Sequence, residues 1–167
     1  MVVGDLASVA ADAVVRPTNG TLDAITPALR RLEADAGPAF RDLCRVRREL
    51  AVGAAVVTGG GELGAELVVH AVLTARGEGV TRDGVRRAAL AALRQAAQWR
   101  IGTLAFPPLG AGAPPDRLPL EAAAAALVAA LGEHGQGAEH PETVLIVAAT
   151  DAERAVVEAR LAGGSLS

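Results

Sequence analysis

Asp5, Asn19, a glycine-spaced loop at Gly110 and Gly112, and the stretch GGGELG are the places where residue type and spacing suit chemistry. Asp5 follows the apolar pair Val2-Val3 in GDLASVAADAVV. Its carboxylate suits a hydrogen bond from a ligand amine, or the turn and capping work that aspartate does in any loop. Asn19 is the only asparagine in the chain and stands just past the apolar run Ala13–Val15. Its amide suits a ligand hydroxyl or, with Gly20 behind it, a turn. In FPPLGAGAPPDRLP, Gly110 and Gly112 leave room for backbone N–H groups to approach an anion, while Pro114 and Pro115 have no N–H to give. That loop reads equally as a phosphate site and as a tight turn. Gly59, Gly61 and Gly64 match the G-x-G-x-x-G spacing of dinucleotide-binding turns, in which the third glycine opens a helix. Here the chain continues instead into ELVVHAVL, a strand, so GGGELG is read as a connecting turn.

These residues need elements to hold them. Short β-branched runs alternate with longer helical patterns. Strands are predicted at Val2-Val3, Ala13–Val15, Ala54–Thr58, Glu66–Leu73, Leu104–Phe106 and Val144–Ala149. A first helix, Ala28–Asp35, opens with Thr26 as N-cap and Pro27 at its first position. A second runs from Pro38 to about Leu50, and the others cover Thr81–Trp99, Leu118–Leu131 and Asp151–Leu161, the last capped by Asp151. Interleaved strands and helices imply an α/β fold with a mostly parallel sheet covered on both faces. The chain reads as one domain over 1–162 with a flexible tail at 163–167. Ligands of such sheets bind beyond the carboxyl ends of strands, which points to the loops after Val3, Val15, Phe106 and Ala149.

Composition removes several function classes. With 167 residues, 51% of them hydrophobic, the chain can bury a core without staples. A net charge of −3 gives no general attraction for nucleic acid or an anionic membrane surface. No apolar run approaches the roughly 20 residues of a membrane span, and no signal-peptide pattern opens the chain, so the expected setting is the cytoplasm. One cysteine, Cys44, excludes an internal disulfide and any multi-cysteine metal site. Every basic residue is arginine, which fits GC-rich coding and heat adaptation alike. Phe40, Trp99 and Phe106 are the only aromatics, few for a protein that grips nucleobases by stacking.

In order along the chain, these pieces resemble a macrodomain, the ADP-ribose-binding module. Gly4 to Asn19, G-D-L-A-S-V-A-A-D-A-V-V-R-P-T-N, is similar to the family's G-D-I-T-x-x-x-x-D-A-I-V-N-A-A-N. GAAVVTGGGELGAELVVHAV, from Gly53 to Val72, resembles a second family stretch, and IGTLAFPPLGAG a third that leads through F-P into a phosphate loop. The resemblance implies a three-layer α/β/α sandwich around a mixed, mostly parallel central sheet, with ligand in a crevice at the strand ends. By position it implies that Asp5 accepts from the adenine amino group and that the backbone N–H of Leu6 meets the ring. It further implies that Asn19 contacts the distal ribose, that Gly110, Ala111, Gly112 and Ala113 form the second phosphate loop, and that Ala149 and Thr150 line the adenine side. His70 and Cys44 fall at positions read as structural.

The sequence also departs from the family pattern. Where a glycine-rich first loop is expected, it has Ala24, Ile25, Thr26 and Pro27. Leu29 stands where the hydrolytic subfamily has an aspartate, Arg16 where the motif has its first asparagine, and Pro114 where an aromatic commonly packs beside the ribose. Leucine can neither orient water nor take a proton. The expected function is non-covalent binding of ADP-ribose or a related adenine nucleotide, with altered phosphate loops and no catalytic residue, metal or cofactor. ADP-ribosylated protein is a further expected partner. The alternatives are hydrolysis of ADP-ribosylated protein or O-acetyl-ADP-ribose, and a structural or partner-binding fold with a degenerate crevice, in which Arg41, Arg45 and Arg48 on a helix face would meet an acidic partner.

Overall fold

A computed structural model describes residues 1–112 and 117–164. The elements in chain order are β1 (Val2–Val3), β2 (Ala13–Asn19), α1 (Pro27–Ala36), α2 (Pro38–Leu43), β3 (Ala55–Gly59), β4 (Leu67–Thr74), α3 (Arg82–Gln98), β5 (Thr103–Phe106), α4 (Leu120–His134), β6 (Thr143–Ala148) and α5 (Asp151–Gly164). The strands form one six-stranded sheet in the order β1-β6-β5-β2-β4-β3. All neighbours run parallel except β3, which returns antiparallel along β4. β1 completes the edge beside β6 through Val2 and Val3 opposite Val147 and Ala148.

Strand alternation sorts the core into two layers. Ala13, Val15, Val69, Ala71 and Leu73 pack with α3, α4 and Val157 of α5. Val14, Val68, Val72 and Ala105 face the other way, against Ala36 of α1 and Phe40 of α2. This is the expected α/β/α sandwich. α4 is rich in alanine and apolar nearly all round because it lies between α3 and α5, with little of it facing water. No helix among the described residues is long and apolar enough to cross a membrane.

Several predicted boundaries shift, each for a local reason. The second helix ends at Leu43, well before Leu50. The backbone N–H of Leu50 donates to the Gly20 carbonyl at 2.8 Å, and Glu49 accepts from the Arg76 backbone N–H at 2.8 Å. These anchors pull 44–50 out of helical geometry, so Arg45 and Arg48 do not share a helix face with Arg41. α5 is capped by Thr150, whose Oγ1 accepts the Glu153 N–H at 3.2 Å; Asp151, expected as the cap, is instead its first helical residue. α5 also continues through Gly164, and the rest of the expected tail, 165–167, lies outside the described residues.

GGGELG is the turn between antiparallel β3 and β4, as expected. Gly61 has φ +59, and a Cβ there would lie 2.3 Å from the Ala36 carbonyl oxygen, whereas a Cβ on Gly64 would meet nothing within 4 Å. The first glycine serves backbone conformation and close approach to the end of α1; the second is dispensable. Gly61→Ala is therefore expected to lower unfolding free energy by about 2 kcal/mol or more, and Gly64→Ala to change it by less than about 0.5 kcal/mol, read by denaturant unfolding. Equal effects at the two positions would contradict this account.

Candidate functional site

At the carboxyl ends of β1, β2, β5 and β6 lies a cavity of about 510 Å³, within the usual size of small-ligand sites. It is walled by the four loops that strand-end logic selected. Gly4, Asp5 and Leu6 come from the loop after β1, and Pro17, Ile25 and Thr26 from β2 and the loop beyond it. Pro107, Pro108, Gly110, Ala111 and Arg117 come from the loop after β5, Ala149 from the end of β6. α1 adds Ala28, Leu29, Arg31 and Leu32, and α5 adds Glu153. Of the residues singled out from sequence, Asp5, Leu6, Gly110, Ala111 and Ala149 are thus brought together. Gly112 and Thr150 flank the cavity in sequence without lining it, and Ala113 and Pro114 lie outside the described residues.

The two ends of the crevice differ in charge. Asp5 is exposed; its Oδ1 accepts the Ala7 N–H at 3.1 Å, and Oδ2 has no protein partner among the described residues. Glu153 accepts the Ala149 N–H at 2.7 Å and so holds the end of β6 against α5. Both carboxylates sit toward the β1–β6 edge. Arg117 and Arg31 line the crevice from the other side, on the loop after β5 and on α1. Sequence reasoning missed both arginines, and only the position of Arg117 in a loop after a strand could have flagged it.

The loop after β5 is folded on itself. The Ala111 N–H donates to the Pro108 carbonyl at 3.2 Å, the Gly112 N–H to the Leu118 carbonyl at 3.0 Å, and the Leu118 N–H to the Gly110 carbonyl at 2.8 Å. Gly110 has φ +80, and a Cβ there would lie 2.7 Å from the Val85 side chain of α3. Its glycine is required by packing as well as by any ligand.

The other loop is built around Arg16. This arginine lies on β2, has no exposed surface, and points into the α1–α2 layer. Its Nη1 donates to the Leu22 carbonyl at 2.9 Å and to His70 Nδ1 at 3.2 Å, and its Nη2 pairs with Glu33 of α1. The guanidinium carbon stands 5.7 Å from the centroid of the Phe40 ring. Burial draws the Arg16 pKa below its ordinary value and Glu33 opposes the shift; arginine remains charged throughout. Leu22 is held at φ +62 and buried. Beyond it, Thr26 caps α1 by accepting the Leu29 N–H at 3.3 Å, and Arg117 donates to the Ile25 carbonyl. Ile25 and Leu29 therefore stand as a fixed apolar wall where the resemblance implied glycine and a catalytic aspartate.

Asn19 lies outside this crevice, in a neighbouring hollow of about 510 Å³ that shares Arg117 with it. Its Oδ1 accepts the Thr21 N–H at 3.1 Å and the Asp23 N–H at 2.9 Å, and its Nδ2 donates to Asp23 at 3.2 Å. Hydrogen bonds from Thr21 and Asn19 in turn lower the Asp23 pKa. In the structure Asn19 shapes a turn. His70 is buried, and burial first, then Arg16, lowers its pKa to about 3. The ring is neutral: Nδ1 accepts from Arg16, and Nε2 donates to Thr58 Oγ1 at 2.8 Å. Burial raises the Cys44 pKa, leaving an unreactive thiol beside the same cluster. No group of three or more metal-ligating side chains occurs among the described residues.

A family model described as Macro domain matches residues 15–127. A macro domain-containing protein of Methanosarcina mazei is 32% identical over 149 residues, covering 86% of this chain and 77% of its own. An O-acetyl-ADP-ribose deacetylase of Enterobacter sp. is 35% identical over 121 residues, 67% of this chain and 66% of its own. A protein of Aeropyrum pernix is 34% identical over 111 residues, and the chain spans 59% of that relative's length. Among solved structures, an Oceanobacillus iheyensis macrodomain variant with ADPR superposes with a TM-score of 0.87 at 19% identity, covering 99% of this chain and 92% of its own. The macrodomain of the same organism with ADP gives 0.85 at 19% identity, covering 96% of this chain and 88% of its own.

Two outcomes follow from the buried cluster. Arg16→Met leaves Glu33 and the Leu22 carbonyl without their donor and is expected to cost about 3 kcal/mol in denaturant unfolding, part of which Glu33→Leu restores in the double variant. A single-variant loss below about 1 kcal/mol would refute the hub. His70 has a folded-state pKa below its unfolded value, so its contribution is complete above pH 6.5 and is lost as pH falls from 6.5 toward 3. Between about pH 6.5 and 5, where carboxylates stay ionised, wild type should lose stability more steeply than His70→Gln, by up to about 1.4 kcal/mol per pH unit. Parallel profiles would show that His70 is not buried neutral.

Proposed function

This chain belongs to the Macro domain family, and from that premise we propose that its strand-end crevice binds ADP-ribose or a closely related adenine nucleotide without covalent change. The observation that carries the reading is the convergence of Asp5, Leu6, Gly110, Ala111 and Ala149 on one cavity at the ends of four strands. Asp5 offers a free carboxylate oxygen to the adenine amino group at the β1–β6 edge, and the loop after β5 faces the diphosphate. Solved macrodomains similar in fold carry ADPR and ADP, which supports the ligand class. The proposed ligand set extends to ADP-ribosylated protein, with the distal ribose directed past Arg117 toward the hollow at Asn19. The proposed setting is the cytoplasm, in keeping with the unpaired Cys44.

Hydrolysis is the second reading, favoured by the Enterobacter relative named as an O-acetyl-ADP-ribose deacetylase. Against it, the crevice wall at Leu29 has no acid or base, and the Ile25 side chain fills space that a mobile glycine loop would leave to ligand and water. Isothermal titration with ADP-ribose tests both. Binding is expected without release of products, and Asp5→Ala is expected to weaken it about tenfold, as for loss of a hydrogen bond to an ionised group. Turnover of O-acetyl-ADP-ribose or ADP-ribosylated protein by the purified chain would favour the hydrolase. Absence of any heat with millimolar ADP-ribose would favour a degenerate crevice.

A further inference from the structure

The proposed ligand carries two negative charges at its diphosphate, and the crevice has an unusual means of meeting them. Backbone N–H groups of the loop after β5 are the expected donors, yet those of Ala111 and Gly112 are spent on the Pro108 and Leu118 carbonyls. In the other loop, Pro27 has no N–H and the Leu29 N–H is taken by Thr26. The crevice also offers side-chain charge. Arg31 projects from α1 into the lining, is exposed, and makes no hydrogen bond or ion pair among the described residues. Arg117 lines the same cavity from the facing loop and already bridges to the Ile25 carbonyl. The N-terminal end of α1, at Thr26 and Ala28, adds its partial positive charge to the same side.

Resting on the proposed nucleotide reading, we propose that Arg31 and Arg117 bind the diphosphate in this crevice as a two-guanidinium clamp. Arg31 presents paired N–H donors in a plane that matches two phosphate oxygens, and Arg117 adds a second delocalised positive charge. The charge layout agrees along the length of the ligand. Asp5 and Glu153 mark the end suited to the adenine amino group, while Arg31 and Arg117 mark the end suited to phosphate. Such a clamp makes charge, more than shape, the basis of selection. The site discriminates strongly between diphosphate nucleotides and the uncharged nucleoside, and its affinity is sensitive to salt.

Titration of the full chain with ADP and with adenosine separates these roles. Wild type should prefer ADP by about tenfold or more, and the preference should shrink as salt rises and screens the pair. Arg31→Ala should weaken ADP about tenfold while changing adenosine by less than about twofold, because only the diphosphate loses a partner. Arg117→Lys keeps a charge but loses the planar fork, and should cut the ADP preference while leaving the adenosine constant in place. A general loosening of the loops would weaken both ligands together, so the ratio distinguishes a binding role from a structural one. If ADP binds to wild type and both variants keep the wild-type ratio, the clamp is overturned and the nucleotide reading stands. If wild type binds neither ADP, adenosine nor ADP-ribose, the nucleotide reading itself falls, and the clamp with it.

Discussion

A guanidinium with no exposed surface, on a central strand, is the constraint around which the rest of this structure is arranged. Taking a cation out of water costs several kcal/mol unless its donors find partners. Arg16 finds them on four different pieces of chain: the Leu22 carbonyl in the loop after β2, Glu33 on α1, His70 on β4 and the Phe40 ring on α2. Satisfying one charge therefore fixes where α1 and α2 lie on the sheet and how the chain runs from β2 to α1. His70 must stay neutral to serve as acceptor, and Thr58 takes its remaining proton. Of the Arg16 nitrogens, only Nε is left without a partner among the described residues.

The crevice inherits its shape from that arrangement. With Leu22 held by Arg16 and Ile25 held by Arg117, the loop between β2 and α1 is pinned at two points and presents side chains to the ligand space. A loop of this kind gains order. Ile25, Leu29 and Leu32 line this crevice with apolar surface, beside Arg31 on the same helix.

Much of this was legible before the structure. Short β-branched apolar runs placed all six strands, and Thr26-Pro27 and Thr81 marked two helix starts. The failure of GGGELG to open a helix was enough to reject it as a phosphate turn. Asp5, Leu6, Gly110 and Ala149 were reached through loop position and resemblance together. What stayed hidden was tertiary. Nothing local announces that residues 44–50 will be drawn straight by Gly20 and Arg76, whereas the Asn19 turn, closed by Thr21 and Asp23, is one of the two readings its sequence offers. Arg31 reads as one more solvated helix arginine until the sheet brings its face to the crevice. Arg16 was visible as a departure from the family motif, but its partners come from positions 22, 33, 40 and 70, which only the fold makes neighbours. The T-x-x-E spacing of Thr150 and Glu153 is a capping signal legible in the sequence, and it places the cap one residue before Asp151.

The central claim is that the nucleotide lies along the strand-end crevice with its base toward Asp5 and its charge toward the arginines. A crystal structure of the chain soaked with ADP tests it most directly. The account expects the adenine amino group within hydrogen-bond distance of Asp5 and phosphate oxygens on Arg31 and Arg117, with the Asn19 turn unchanged. Density for ADP in the hollow beside Asn19 alone, or in the crevice with the base and diphosphate reversed, would contradict it.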